Sequence, residues 1–350
     1  MPDPSREPAT PAPLSPEDQT MSNPAVAKPI QDTIKSAHKA ALIQRWMPAL
    51  LLPAAGILAF LLFWQVVAGS IDTSLGKFPG PTQVVGQFTS LVQEHVAEQR
   101  KADDFYARQE ARNAERLAKD PDAKVSVRPY TGKPTFFKQI LTSLYTVMTG
   151  FALASLLAIP LGIVCGLSKP IYSAINPLIQ VFKPVSPLAW LPLVTMVVSA
   201  VYTSADPLLA KSFVTSAFTV ALCCLWPTVI NTTVGVANLD KDLLNVSRVL
   251  SLSPLDHVRR IVLPAAIPMI FTGLRLSLAT GWMVLIAAEM LAQNPGLGKF
   301  IWDEFQNGSS NSLGRIMVAV LTIGLIGFVL DRLMLGLQRR VSWDKNADLR

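Results

Sequence analysis

Long apolar runs constrain this chain more than any other feature of its sequence. An α-helix needs about 20 apolar residues to cross roughly 30 Å of hydrocarbon, and runs of that length recur along the chain. They lie at about 48–68, 140–167, 178–202, 213–236, 268–292 and 313–337. The runs predict an all-α membrane protein with six transmembrane helices and with both termini on the same side.

Composition supports this prediction and argues against other classes of protein. Half of the 350 residues are hydrophobic and 16% are charged, whereas soluble domains carry about 25% charged residues. The formal charge of +7 fits basic cytoplasmic loops, and no sequence pattern indicates nucleic-acid binding. The three cysteines, Cys165, Cys223 and Cys224, lie inside apolar runs without metal-ligand spacing, so we interpret them as packing residues.

The chain divides into five segments. They are a proline-rich, disordered 1–34, a basic flank with the first span at 35–69, a charged insert at 70–137, the remaining spans at 138–340, and a tail at 341–350.

The insert at 70–137 is predicted to be partly helical. A helix begins at Pro81 after a turn, and alternating charges from Glu94 to Asp120 predict its solvated continuation. One face of its first part is apolar, formed by Val84, Val85, Phe88, Leu91 and Val92.

The charge of the short loops predicts the orientation. Lys and Arg concentrate in the N-terminal flank, at Lys169, in the segment 239–264 and in the tail, while the opposite short loops balance their cations with acidic residues. Because cytoplasmic loops carry the excess of Lys and Arg, the segment 239–264 and both termini are predicted to be cytoplasmic. The insert then faces outward.

The segment 239–264 interrupts two apolar runs with a basic helix–turn–helix pattern. Asp240 begins a short amphipathic helix. Ser253 caps a second helix, in which Pro254 takes the first turn and Asp256 completes a capping box.

Two proline pairs, Leu263-Pro264 and Ile267-Pro268, are predicted to redirect the chain from this segment into the next span. The pattern alone leaves two functions open. The segment is either an interfacial helix pair on lipid headgroups or a docking element for a cytoplasmic partner.

The segment resembles the coupling-loop signature of transmembrane subunits in bacterial binding-protein-dependent ABC importers. That signature is Glu-Ala-Ala, three residues, Gly, nine residues, Ile, one residue and Leu-Pro. Here Asn245-Val246-Ser247, Ser251, Ile261 and Leu263-Pro264 stand at the same spacing, with departures at the first three positions and at the glycine. The phrases KPVSPLAWLPL and GLGKFIWD are similar to the nitrate, nitrite, cyanate and bicarbonate branch, nitrate permeases most of all. The sulfonate and taurine branch is the nearest rival.

The resemblance, which covers residues 135–340 and the first span, implies a type I ABC importer fold with a cytoplasmic coupling helix, in the bacterial inner membrane. The implied partners are ABC ATPase subunits that use ATP and Mg, a second permease subunit that is expected to be the same chain, a periplasmic solute-binding protein, a small anion and the lipid bilayer. The residues implied to dock the ATPase are Asn245, Ser247, Arg248, Ser251, Leu252, Ser253, Pro254, Leu255 and Asp256.

No catalytic, metal or cofactor site is predicted in this chain. NPGLGKF is the nearest approach to a phosphate-binding loop, but Phe300 follows Lys299 where that motif needs Ser or Thr. The sequence therefore predicts a transport subunit rather than an enzyme. The resemblance implies nitrate or nitrite as the substrate, with sulfonate or taurine, bicarbonate and cyanate as alternatives. An ATP-independent channel or secondary transporter and a membrane scaffold or sensor are the rival classes.

Ionisable residues inside spans are candidates for the substrate path, because each costs about 2.5–3.5 kcal/mol at the bilayer centre. Arg275 could attract the anion, and Glu289 lies about 21 Å farther along the same helix, too far to pair with it. An ion pair with another helix is the alternative for each. Prolines are predicted to break the third span near Ser186 and to free backbone amides for an anion. Trp190 and Trp282 either line the path or pack.

Overall fold

A computed structural model describes residues 51–73, 76–120, 125, 127–203 and 209–341, without the side chain of Lys241. The predictions for the segment 1–34, the flank before residue 51 and the tail after residue 341 lie outside this range. The chain forms two units, Met1–Ser70 and Ile71–Arg350. In the first unit the described helix is α1, Leu51–Ser70, which is long and apolar enough to cross a membrane.

The second unit is almost entirely helical where it is described. It opens with a short antiparallel hairpin, β1 (Asp72–Thr73) and β2 (Gly76–Lys77). The helices that follow are α2 Pro81–Lys119, α3 Phe136–Leu167, α4 Lys169–Phe182, α5 Pro187–Val201, α6 Lys211–Ala237, α7 Lys241–Val249, α8 Pro254–His257, α9 Leu263–Ala292, α10 Leu297–Asn307 and α11 Ser312–Val341, and a π-helical turn, Val258–Val262, joins α8 to α9. The prediction of an all-α membrane protein is confirmed.

The third predicted span consists of two helices, α4 and α5, that meet at an angle of 102°. The break follows the predicted prolines: Pro184 lies in it, and Ser186 caps α5 by accepting a hydrogen bond from the Leu188 N–H at 3.3 Å. The described residues therefore hold five long apolar helices, or six spans when the bent pair counts as one.

Packing shows that α4 and α5 together cross the bundle once. The starts of α3 and α6 lie side by side, where the rings of Tyr145 and Phe213 stack at 5.2 Å. The ends of the same two helices also meet, at Gly166 and Val236. The chain leaves α3 at one end of the bundle and enters α6 at the other, so the bent pair must carry it across.

The core of the second unit is formed by α3, α6 and α9, which approach closely. A Cβ on Gly162 of α3 would lie 2.6 Å from the Cβ of Thr232 on α6. Hydroxyl groups add interhelical hydrogen bonds, such as the one between Thr228 and Ser277 at 2.7 Å. Small residues and interhelical hydrogen bonds drive helix association in lipid, where hydrophobic burial contributes little. Cys165 and Cys224 are buried here as free thiols, as expected of packing residues.

The chain does not turn at Leu263-Pro264 or Ile267-Pro268, so that prediction is wrong. α8, the π-helical turn and α9 form one continuous helix of 39 residues, Pro254–Ala292. In a regular α-helix the ring of Pro264 would collide with the carbonyl four residues earlier. The wider π-helical turn, in which the Leu263 N–H donates to the Val258 carbonyl, precedes that proline and accommodates it.

The insert contains one long helix, α2, as predicted from Pro81 onward. Its predicted apolar face is only partly covered, because Val84 and Leu91 are buried whereas Val85 and Phe88 are exposed. Arg315, at the start of α11, contacts Glu94 of α2.

The insert and the segment 239–264 lie at opposite ends of the bundle. α2 is held at the starts of α11 and α3, where His95 Nδ1 lies 2.8 Å from the Thr135 hydroxyl. The segment 239–264 leads into the start of α9, where the far end of α11 returns and Gln338 donates to the Pro268 carbonyl at 3.3 Å. This arrangement agrees with the prediction that they face opposite sides of a membrane.

Candidate functional site

Residues 239–264 form a helical projection at one end of the bundle, called the projection below. It begins with α7, which starts after Asp240 as predicted. Asp240 caps the helix, since its carboxylate accepts from the Asp242 N–H at 3.0 Å. At its base, Val262 packs with Val236 and Ile163 in a buried hydrophobic cluster. The base is therefore anchored in the core while the rest extends beyond it.

The turn after α7 has the hydrogen bonds of a Schellman motif. The Leu252 N–H donates to the Ser247 carbonyl at 3.2 Å, and the Ser251 N–H donates to the Arg248 carbonyl at 3.0 Å. This motif requires a left-handed residue at its corner, which is usually glycine. Here the corner is Ser251, with φ at 47°. The signature has glycine at this position because the corner needs a left-handed backbone. In this chain Ser251 adopts that conformation, at a cost in strain.

The second helix of the projection is capped by Ser253. Its hydroxyl accepts from the Asp256 N–H at 3.2 Å and donates to the Asp256 carboxylate at 2.8 Å. The predicted capping box differs in one detail, because the carboxylate holds the Ser253 hydroxyl rather than the Ser253 N–H. Asp256 also forms an ion pair with Arg260 at 3.1 Å. These contacts fix the direction in which α8 leaves the turn.

One side-chain hydrogen bond joins the two helices of the projection. The Ser247 hydroxyl of α7 and Nδ1 of His257 in α8 lie 2.7 Å apart. Ser247 is buried, although it belongs to a short helix at the surface. The bond supplements the backbone contacts of the turn and was not foreseen from the sequence, in which the two residues stand ten positions apart.

The tip of the projection exposes apolar side chains. Val249 is 83% exposed, Leu250 is 62% exposed and Leu255 is 79% exposed. Polar caps hold this surface rigidly at the end of a helix that continues into the bundle. Such a surface can bind a groove on another protein. Among the described residues, no group of three or more His, Cys, Asp or Glu could hold a metal ion.

The structure brings the predicted docking residues together in the projection. They occupy α7 (Asn245, Ser247, Arg248), the turn (Ser251, Leu252, Ser253) and α8 (Pro254, Leu255, Asp256).

Arg275, a predicted substrate-path residue, forms an ion pair with Asp331 of α11. Its Nη2 donates to Asp331 Oδ2 at 2.9 Å, and its Nε donates to the other carboxylate oxygen. This geometry matches the alternative of an ion pair with another helix. Asp331 was not predicted, although an aspartate inside the sixth apolar run is a sequence signal for such a partner.

Glu289 lies fully buried at the opposite end of α9 from the projection. Its carboxylate accepts from the Ser143 hydroxyl at 2.8 Å and from the Gly298 N–H at 3.0 Å. The Ser143 oxygen in turn accepts from the Leu297 N–H at 2.8 Å. Glu289 therefore caps the N-terminus of α10 and connects that helix to α3 and α9.

The other substrate-path residues fall into two places. Trp282 is buried, and its indole N–H donates to the Ile323 carbonyl of α11 at 3.0 Å. Ser186 and Trp190 lie at the break between α4 and α5, where Trp190 and Phe182 rings are 5.7 Å apart. The five predicted residues do not share a set of polar contacts in the part of the chain that the structure describes.

Comparison with known proteins matches residues 158–343 to the family described as binding-protein-dependent transport system inner membrane component. The nitrate import permease protein NrtB of Synechocystis sp. is 32% identical over 300 residues, which cover 85% of this chain and 90% of that protein. The bicarbonate transport system permease protein CmpB of Synechococcus elongatus is 32% identical over 317 residues, covering 88% and 96%. A solved chain of the MetNI methionine ABC transporter is 12% identical, with a TM-score of 0.47 and coverage of 59% and 95%.

Proposed function

This chain belongs to the family of binding-protein-dependent transport system inner membrane components, and from that premise we propose that a partner ATPase drives it to move a small anion inward. It is a multi-pass inner-membrane permease subunit of the nitrate and bicarbonate branch of ABC importers, not an enzyme.

The observation that carries the proposal is the exposed apolar tip of the projection. Leu255 and Val249 are 79% and 83% exposed, on helices whose ends are capped and whose direction is therefore fixed. A groove in a cytoplasmic ATPase subunit would cover these side chains. The rival explanation, contact with lipid headgroups, is tested by the experiment below.

The continuous helix Pro254–Ala292 explains how movement at the projection would reach the membrane. At 1.5 Å per residue, its 39 residues extend about 58 Å, which exceeds the thickness of the hydrocarbon core. A displacement of the tip would move α9 as one body and, through Glu289, would act on α10 at the other end. ATP and Mg bind to the partner ATPase in this proposal, and this chain binds no cofactor.

The orientation proposed is the one that the loop charges predict, with the projection and both termini in the cytoplasm. Lys169 and Arg339 belong to the same end of the bundle as the projection, since α3 and α11 both finish there. That end therefore collects the basic groups that are characteristic of cytoplasmic loops. A periplasmic solute-binding protein would deliver the anion to the other end, and a second permease subunit, expected to be a copy of this chain, would complete the path.

Nitrate or nitrite is the proposed substrate, and bicarbonate is the second candidate. Support for nitrate comes from the relatives named as nitrate import permeases, one of which is 39% identical over 204 residues. Support for bicarbonate comes from relatives named as bicarbonate permeases, at 32% identity over 317 residues. Sulfonate or taurine and cyanate remain alternatives from the sequence phrases.

For the substrate path we favour the break between α4 and α5. Arg275, Glu289 and Trp282 each direct their polar groups to partners within the protein. Ser186 and Trp190 stand instead at the break between α4 and α5, and discontinuous helices of this kind form substrate sites in transporters. The predicted free amides are not found at the start of α5, because Pro187 has no N–H and the Leu188, Ala189 and Trp190 N–H groups all donate to Ser186. Arg275 and Glu289 would then hold the helices that surround the path.

The test is ATP-dependent uptake in liposomes that contain the purified complex with its ATPase and binding protein. Isotope-labelled nitrate and bicarbonate are supplied in parallel, and Leu255→Asp, Arg248→Glu and Pro254→Gly are compared with the unmodified chain. We expect uptake that requires ATP and that each substitution lowers, with loss of ATPase binding for Leu255→Asp. Uptake without the ATPase would indicate a channel or secondary transporter, and unchanged transport in all three variants would refute docking through the projection.

A further inference from the structure

The projection combines a strained turn with a side-chain hydrogen bond that joins its two helices. Ser251 has φ at 47°, a conformation that L-residues with a side chain adopt at a cost and that glycine adopts freely. The turn keeps this conformation although it lies at an exposed tip. The two backbone hydrogen bonds of the turn favour this conformation, and a side-chain contact next to the turn adds to them.

Ser247 is the residue that makes this contact. Its carbonyl accepts the Leu252 N–H at 3.2 Å, which closes the turn. Its hydroxyl shares the 2.7 Å hydrogen bond with His257 Nδ1, which ties α7 to α8. Among the described side chains, no other hydrogen bond connects these two helices, so one buried residue links the strained turn to the second helix.

We propose that the Ser247–His257 hydrogen bond is a positioning contact that holds the left-handed turn at Ser251 and thereby sets how efficiently ATP hydrolysis is converted into transport. The inference rests on the proposed function and deepens it. It concerns two residues at which the chain departs from the importer signature, Ser247 for alanine and Ser251 for glycine. One departure introduces strain, and the other supplies the bond that resists it.

The geometry explains why coupling, rather than folding, depends on this bond. Without it, Ser251 can relax toward a right-handed or extended conformation, and the Leu252 N–H then leaves the Ser247 carbonyl. The helix α7 and the long helix Pro254–Ala292 remain intact, because their own caps and the buried cluster at Val262 hold them. The angle between them changes, which displaces the apolar side chains on either side of the turn. ATP hydrolysis would continue, but the movement of the ATPase would be transmitted poorly through the displaced docking surface.

The experiment measures anion molecules accumulated per ATP hydrolysed by the reconstituted complex. Ser247→Ala and His257→Phe remove the bond. His257→Asn keeps a polar atom at the position of Nδ1, and Ser251→Gly removes the strain. The matched control is Ser90→Ala, because among the described residues the exposed Ser90 hydroxyl bonds only to the Gly86 carbonyl of its own helix.

We expect Ser247→Ala and His257→Phe to lower the ratio by about threefold to tenfold, the change in an equilibrium that the loss of one hydrogen bond produces. The melting temperature should change little, because both helices keep their own caps and the buried cluster at Val262. The double variant Ser247→Ala/His257→Phe should be no worse than either single variant, because both remove the same bond. His257→Asn should keep most of the ratio, and Ser247→Ala combined with Ser251→Gly should recover it.

Two outcomes would overturn the inference while leaving the proposed function in place. One is an unchanged ratio in Ser247→Ala and His257→Phe, and the other is a lowered ratio that Ser251→Gly does not restore. A different result, an unmodified complex that accumulates the anion without ATP, would overturn the proposed function itself.

Discussion

The ion pair between Arg275 and Asp331 offers a test that separates a structural residue from a substrate-binding one. The pair joins α9 to α11 through two hydrogen bonds, and its side chains are 29% and 31% exposed. Arg275→Gln leaves the Asp331 carboxylate without its guanidinium partner. An isolated charge near the bilayer centre costs about 2.5–3.5 kcal/mol. Because the Asp331 side chain is partly exposed, we expect a smaller loss of stability, about 1–3 kcal/mol, in the range measured for contacting pairs.

Thermal unfolding of the purified protein in detergent measures this loss. For domains of 150–250 residues, each kcal/mol lowers the melting temperature by about 2–4 °C. Asp331→Asn should have a similar effect. The double variant Arg275→Met/Asp331→Leu should be more stable than either single variant, because no unpaired charge remains among the packed helices.

The exchanged pair, Arg275→Asp/Asp331→Arg, makes the decisive comparison. If Arg275 acts through the ion pair, the exchange should restore much of both the melting temperature and ATP-driven uptake. If Arg275 instead attracts the transported anion, the exchange would restore stability and leave uptake abolished. That second pattern, or single variants as stable as the unmodified protein, would refute our interpretation of Arg275.

Three further predictions follow from other parts of the molecule. Leu255→Asp should abolish co-purification of the ATPase, whereas Leu255→Met should retain it; equal retention in both would contradict docking at the tip. Glu289→Ala should destabilise the protein by about 2–5 kcal/mol, because at least two buried donors lose their acceptor. Glu289→Gln should destabilise it less. Thermal unfolding measures both, and the absence of any shift in melting temperature would contradict a capping role. In the insert, the Tyr130 hydroxyl donates to Glu98 at 2.8 Å and lowers the pKa of that carboxyl, with a smaller contribution from Lys101. The contribution of Glu98 to local stability is therefore present above its ordinary pKa and is lost as the pH falls through the lowered value. Tyr130→Phe should weaken this acid dependence, measured as hydrogen exchange of the backbone around Glu98. An unchanged dependence would exclude this contact as its cause.

The sequence alone was sufficient for the features that depend on local pattern. Apolar runs of membrane-spanning length predicted the helices, since a backbone in lipid must satisfy its own hydrogen bonds. Ser253 was recognised as a cap, and Asp240 as the start of a helix, because these signals need only a few neighbouring residues. The prolines around Ser186 correctly predicted a broken helix. Spacing and the quoted phrases were enough to recognise the importer family, to which the chain belongs.

Features that depend on packing between distant residues appeared only in the tertiary structure. No local signal distinguishes a proline that ends a helix from one that a π-helical turn accommodates, and so the continuous helix Pro254–Ala292 was predicted as two. The partners of Arg275 and Glu289, Asp331 and Ser143, lie 56 and 146 positions away along the chain, and periodicity carries no information about such pairs. The bond between Ser247 and His257 depends on a left-handed turn at Ser251 that serine seldom adopts. Sequence thus determined which segments are helical and where they are capped, whereas the tertiary structure alone decided which side chains meet, because those contacts are set by how whole helices pack.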